Sequence, residues 1–167
     1  MTLAFSQKLN NKPTFFVEKI WQSLLRDGVE MNAVEFTEKF KEVLPLIGKA
    51  KIGDFPQKKH TIRKDTNNKW KAGNKIHFVI NNRTKNRFQF APIVQCFSIQ
   101  KITITYNEEI CEKHSSEPAV FIDDKIVDYK TIEALAINDG FDNESEFFNY
   151  FKEDFTGKII HWTPLKY

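Results

Sequence analysis

The chain has 167 residues, with 25 Lys and Arg against 22 Asp and Glu and a formal net charge of +3. That length suits one domain with a real core and is too short for a barrel of eight βα units; 41% hydrophobic and 28% charged residues argue against disorder. Sixteen Phe against six Gly are many rings in need of an interior, no apolar run is long enough to span a membrane, the start Met1-Thr2-Leu3-Ala4-Phe5-Ser6 lacks a secretory pattern, and Cys96 and Cys111 read as reduced thiols, so the expected location is cytoplasmic.

Strand and helix signals alternate along the chain with no repeat. Leu3-Ala4-Phe5-Ser6 reads as a short strand. Pro13 suits the first turn of a helix on which Phe16, Val17, Ile20, Trp21 and Leu24 share one face, with Gly28 as its stop. A second helix starts at Asn32, with Glu35 completing a capping box. Ala33, Phe36, Phe40, Val43 and Leu44 form its apolar face, and Pro45 ends it. Both helices read as structural.

From residue 58 the pattern changes to strands. Residues 59–63 are extended, residues 64–74 form a Lys/Asn/Asp loop closed by Gly73-Asn74, and residues 75–80 alternate. A long strand is predicted over 94–106. Its apolar parity changes between Ile99 and Ile102, which predicts a bulge near Gln100-Lys101 or a strand turning a barrel corner. Residues 119–122 and 126–127 flank Asp123-Asp124 as a hairpin. Helices follow over 130–137 and from the Asn143/Glu146 capping box to about Phe151. A last strand covers 157–162. The order describes one α+β domain over 1–167: a small, mostly antiparallel sheet or barrel with helices placed early and late.

The net charge conceals a strong polarity. Residues 58–101 carry 11 basic and 1 acidic side chain, and residues 102–154 carry 4 basic and 14 acidic ones. The basic block reads as an anion-binding candidate. The alternative is that the two blocks neutralise each other in the fold.

Several chemistries lack their motifs. There is no GxxxxGK[ST] loop, no GxGxxG and no Gly-x-Ser-x-Gly elbow. His60, His77, His114 and His161 are dispersed and the cysteines lie far apart, so no metal site and no cofactor are expected. What remains is the block itself. Cations interleaved with Trp70, His60, His77, Phe88 and Phe90 can neutralise phosphates while rings stack on bases. Arg83-Thr84-Lys85-Asn86-Arg87 adds forked donors for phosphates and base edges.

Within it, Gln57-Lys58-Lys59-His60-Thr61-Ile62-Arg63 resembles the K-T-x-T-I-R signature of the ASCH superfamily. The resemblance continues through Trp70-Lys71-Ala72-Gly73-Asn74-Lys75-Ile76-His77-Phe78. It returns at Ala136-Ile137-Asn138-Asp139-Gly140-Phe141 and Glu146-Phe147-Phe148, and closes on the final strand. It covers most of residues 58–162 and is that of a bacterial or phage-type member. Residues 7–57 are longer than the family's first helix and read as a helical insertion.

The resemblance implies a PUA-like β-barrel with flanking helices, and a cleft that takes RNA or a nucleotide-like ligand. Lys58, Thr61 and Arg63 would line its floor, Trp70 would stack, Arg83, Lys85 and Arg87 would meet phosphate, and Asp139 would face them as an acceptor. A smaller branch of the family consists of amidohydrolases of N4-acetylcytidine. There Lys58, Thr61 and Asp139 would be the catalytic set, with neutral Lys58 as base for the Thr61 hydroxyl. Asp139 stands where that branch has Glu, one methylene longer, and Lys59 stands where the family has Thr. Residues three apart in a regular strand point to opposite faces, so Lys58 and Thr61 can cooperate only if the strand begins with a bend. A third reading is a protein-interaction module whose basic face docks an acidic partner.

Overall fold

A computed structural model describes residues 1–47, 52–114 and 118–167. The chain opens with β1 (Thr2–Ala4) and a tight hairpin of β2 (Lys8–Leu9) and β3 (Lys12–Pro13). Asn10 and Asn11 both take positive φ at its turn, the geometry that matches strand twist in two-residue hairpins. Pro13 therefore lies in β3 and not in the first turn of a helix.

Helix α1 (Phe16–Arg26) starts three residues later and buries Val17, Ile20, Trp21 and Leu24, the face expected from their spacing. Asn32 caps α2 (Ala33–Ile47), its Oδ1 accepting from Val34 N and Glu35 N at 3.0 Å each. Glu35 does not close the box. Its carboxylate instead accepts Ile93 N at 2.9 Å, tying α2 to a loop. Pro45 does not end α2, which continues to Ile47. Of its expected apolar face only Val43 is buried; Phe36 and Phe40 are half-buried, while Ala33 and Leu44 are exposed.

Next come β4 (His60–Arg63), β5 (Lys75–Ile80), β6 (Phe88–Gln89), β7 (Val94–Gln95), β8 (Ser98–Thr105), α3 (Glu108–His114), β9 (Ala119–Ile122) and β10 (Lys125–Ile126). Helices α4 (Tyr129–Asn138) and α5 (Glu144–Tyr150) and strand β11 (Phe155–His161) complete the chain. Asp123 and Asp124 take positive φ in the β9–β10 turn, as the sequence predicts, and Asn143 Oδ1 caps α5 on Glu146 N, while the Glu146 carboxylate faces Lys12 instead of closing the box. Helix α3 was not expected.

The strands form an α+β arrangement of separate sheets. One holds β1, β5 and β6 in that order with β7 also on β5; the other runs β10-β9-β8-β11-β4. Only β1–β5 is parallel among these pairs. Among the described residues neither sheet closes into a barrel. The chain changes sheet at Cys96-Phe97, between β7 and β8, and β8 then pairs with β11 without a break from Ser98 to Ile104. No bulge falls at Gln100-Lys101. Ser98, Gln100, Ile102 and Ile104 share the buried parity, and the first two are polar. A strand that buries polar groups at one end imitates a phase change in hydrophobicity.

Two cores lie on opposite faces of the β4–β11 ladder. Ile160 packs with Phe5, Trp21, Phe78 and Trp162 on the α1 side. Ile62 and Ile159 pack with Ile102, Leu135 and Phe147 beneath α4 and α5. The buried indoles are satisfied: Trp21 Nε1 donates to Phe90 O at 2.9 Å and Trp162 Nε1 to Ser23 Oγ at 3.0 Å. No helix among the described residues is long and apolar enough to cross a membrane.

Candidate functional site

The end of α4 sets the site. Asp139 is the helix C-cap, and Gly140 follows at φ +92. Gly140 N bonds Ile137 O at 2.9 Å and Phe141 N bonds Ala136 O at 3.0 Å, the crossed pair of a Schellman motif, which calls for glycine at the left-handed position. The reversal aims the Asp139 carboxylate back at β4. Oδ1 accepts Ile62 N at 3.3 Å and Lys58 Nζ at 2.7 Å. Lys58 Nζ also donates to the Asp139 carbonyl.

Lys58 lies outside the ladder, which begins at His60. Its N–H bonds Lys19 O at 2.9 Å, and Lys59 N bonds Asn138 O at 2.8 Å, so this dipeptide is held between α1 and the end of α4. Lys58 is thus fixed by its backbone neighbours ahead of β4 and not within the ladder. Lys58 is 1% exposed and Asp139 5%. Burial pushes the lysine down to about 8, opposed by the Asp139 charge, and pushes the Asp139 carboxyl up, opposed by Lys58. The ammonium also sits over the rings of Phe16 and Phe5, 4.8 and 5.8 Å from their centroids.

Thr61 pairs with Ile160, faces the Phe5 side of the ladder and is 3% exposed. Among the described residues no hydrogen bond joins its hydroxyl to Lys58 or Asp139. Arg63 shares its face. The guanidinium lies 5.4 Å from the Phe5 centroid and donates to Ala4 O at 2.8 Å. Lys58 and Arg63 therefore both face the Phe5 ring, with Asp139 held on Lys58 and Thr61 in the same strand as Arg63. The missing methylene of Asp139 does not keep its carboxylate from Lys58.

Trp70 departs from its expected role as a stacking platform. It is 7% exposed and belongs to the α1-side core, because Asp65 folds the loop inward: Oδ1 accepts Lys69 N and Oδ2 accepts Trp70 N, at 3.0 and 2.9 Å. Lys158 then meets Asp65 at 3.3 Å, neutralising the one acid of the basic block. Arg83, Lys85 and Arg87 occupy the exposed 81–87 loop between β5 and β6, away from Lys58 in the hydrogen-bond and ion-pair pattern.

Mutual neutralisation of the two blocks is slight. Lys58–Asp139 and Lys101–Asp124 join them, and Lys59 pairs with Asp27 at 3.4 Å. Lys64, Lys69, Lys71, Lys75, Arg83, Lys85 and Arg87 are exposed and form no ion pair among the described residues.

Sequence reasoning missed Lys19 and His161, and it read His60 as a ring for stacking on bases although that ring is fully buried. Lys19, on a helix read as purely structural, is buried and donates to Gly140 O at 2.8 Å and Asp142 Oδ1 at 3.1 Å. His60 and His161 are register partners with rings 5.2 Å apart. His60 Nε2 meets Tyr167 OH at 2.8 Å while its Nδ1 stands 3.8 Å from Asp139 Oδ1. That Nδ1 and both His161 nitrogens are buried with no hydrogen-bond partner among the described residues. Burial holds both rings neutral, pushing His161 down to about 4 and His60 well below its usual value. The signal for this pair was a histidine in each of two expected strands; only the register brings them together. No group of His, Cys, Asp and Glu suited to a metal occurs among the described residues.

Compared with protein-family models, curated proteins and solved structures, the chain matches none.

Proposed function

We propose that the chain is an ASCH-like domain of PUA-like ancestry, acting in the cytoplasm, that binds RNA or a nucleotide-like ligand. One observation carries this reading. The cations of residues 64–87 stay exposed and form no ion pair among the described residues, although an acidic block of the same chain was available to neutralise them. A surface with that excess attracts phosphates by releasing their counterions. Arg83, Lys85 and Arg87 supply the contacts with phosphate, and Arg63, over the same Phe5 ring as Lys58, adds a cation on the side of the buried pair. Titrating a labelled single-stranded RNA oligomer at rising salt tests it. Binding at low salt that weakens linearly on a log–log plot is expected; no binding at low salt, or binding indifferent to salt, overturns it.

A second reading has its own support. A lysine brought down to about 8 and held at 2.7 Å by a carboxylate, three residues before a buried threonine, is a fraction neutral near pH 7 and can take a proton. This favours an amidohydrolase of N4-acetylcytidine or a related acylated nucleoside. Release of cytidine and acetate from N4-acetylcytidine, lost in Lys58→Ala, is the expected result; no release, or release that survives that substitution, overturns it.

A further inference from the structure

Lys58, Thr61 and Asp139 stand just outside a cleft that begins a single side chain away from Lys58. A cleft of about 560 Å3 lies between the β2–β3 hairpin, the start of α1 and α5, within the size range of small-molecule pockets. Phe16, Lys19 and Gly140 line it, and the same three residues touch Lys58: the Phe16 ring covers the ammonium, Lys19 O accepts the Lys58 N–H, and a Cβ on Gly140 would meet Lys58 Cδ at 3.0 Å and Phe16 Cε1 at 2.9 Å. Phe16 is thus the partition between the cleft and the buried pair.

The lining has the character of a site for a flat polar ring. Phe16, Phe141 and Tyr150 offer ring faces, and Asn10 and Asn149 offer amides that carry no hydrogen bond among the described residues. Lys12, Lys19 and Lys152 exceed Asp142 and Glu146 by a single charge, so the cleft attracts phosphate less than the 81–87 loop, which carries three cations and no acid. An exposed Lys12–Glu146 contact of 3.7 Å bridges hairpin and α5 across it. The residue before the partition is strained. Phe15 takes φ 53 and ψ 28, a conformation rare for a bulky side chain, and is held by stacking on Phe55 at 4.8 Å.

We propose that this cleft binds one planar heterocycle of nucleobase size, stacked on Phe16 and Tyr150, and that Phe16 is the movable wall between the bound ring and Lys58. The proposal rests on the nucleotide-like ligand read above and names where its base goes. Phosphates belong to the exposed loop; the ring belongs here. Phe15 is the joint, since leaving its left-handed conformation reorients the Phe16 side chain.

The test is a titration of isotope-labelled protein with cytidine, N4-acetylcytidine and, as control, ribose 5-phosphate, followed by NMR. Saturable shifts at the amides of Phe16, Gly140 and Asn149 are expected with both nucleosides and not with ribose 5-phosphate. The double variant Asn149→Ala/Tyr150→Ala, on an exposed helix face, is expected to fold and to weaken binding at least tenfold. Saturating nucleoside is expected to move the Lys58 side-chain resonance as well; if the amides shift and Lys58 does not, the movable wall is wrong. No saturable shift with either nucleoside, or equal shifts with ribose 5-phosphate, overturns the pocket. If RNA still binds with shifts confined to residues 81–87, the RNA reading stands and the pocket alone falls.

Discussion

Lys58 Nζ lies 2.7 Å from Asp139 Oδ1, and the pair is almost wholly withdrawn from water. Desolvation of two charges takes back most of what their attraction contributes, but removing one partner leaves the other charge stranded. Lys58→Met and Asp139→Asn are each expected to destabilise by about 3–5 kcal/mol. The double variant is expected to cost markedly less than the two added together. Urea denaturation of the three variants checks this; strict additivity would mean that the two side chains do not act as a pair.

The buried histidines set an acid limit. An unfolded histidine titrates near 6.5 and His161 near 4. Between those values the unfolded chain binds a proton that the folded chain refuses, so stability falls as the pH drops through that window. His161 alone is expected to remove about 2 kcal/mol between pH 7 and pH 5. His60 acts in the same sense, while the raised Asp139 carboxyl opposes both, because the folded chain takes up that proton at a higher pH than the unfolded chain does. Urea midpoints across this window report the loss, and His161→Phe is expected to flatten it.

Gly140 is irreplaceable for two separate reasons. Its φ of +92 suits no L side chain, and a Cβ would press on Phe16 and Lys58. Gly140→Ala is expected to destabilise by roughly 2–3 kcal/mol, above the 1–2 kcal/mol of the left-handed backbone alone. An Ala at Gly73, also at positive φ but with open space around its Cβ, isolates the backbone part. Thermal melts of the two variants compare them directly; equal losses would show that the Phe16–Lys58 wall yields freely.

The exposed cations separate binding from folding. Changing Arg83, Lys85 and Arg87 together to Gln is expected to leave stability within about 0.5 kcal/mol, because these exposed side chains form no ion pair among the described residues. The salt dependence of RNA binding is expected to lose roughly 2 from its log–log slope, about 0.7 for each phosphate contact removed. An unchanged slope would place the phosphates elsewhere on the protein.

Much of the secondary structure was legible because its causes are local. The α1 stripe of Val17, Ile20, Trp21 and Leu24, the Asn143 cap and the Asp123-Asp124 turn each follow from spacing or turn chemistry within a few residues. The errors arose where a distant partner outweighed a local preference. Glu35 left its capping box for Ile93 N, and Pro45 was accommodated inside α2. Gln100 is buried because it bonds Asp123 and Tyr167 across the sheet, and Ser98 is buried beside it in the strand with no hydrogen-bond partner for its hydroxyl among the described residues.

The candidate site divides in the same way. The sequence by itself determined which groups were available: a lysine before a strand, an aspartate and glycine at a helix end, and a basic stretch with one acid in it. Only the tertiary structure decided their states. The Schellman reversal joins Asp139 to Lys58 across the fold, and burial then brings that lysine down to about 8. Trp70 went to the core while Arg83, Lys85 and Arg87 stayed in water. Desolvation and contact depend on what surrounds a residue in space, and the chain order alone does not contain that.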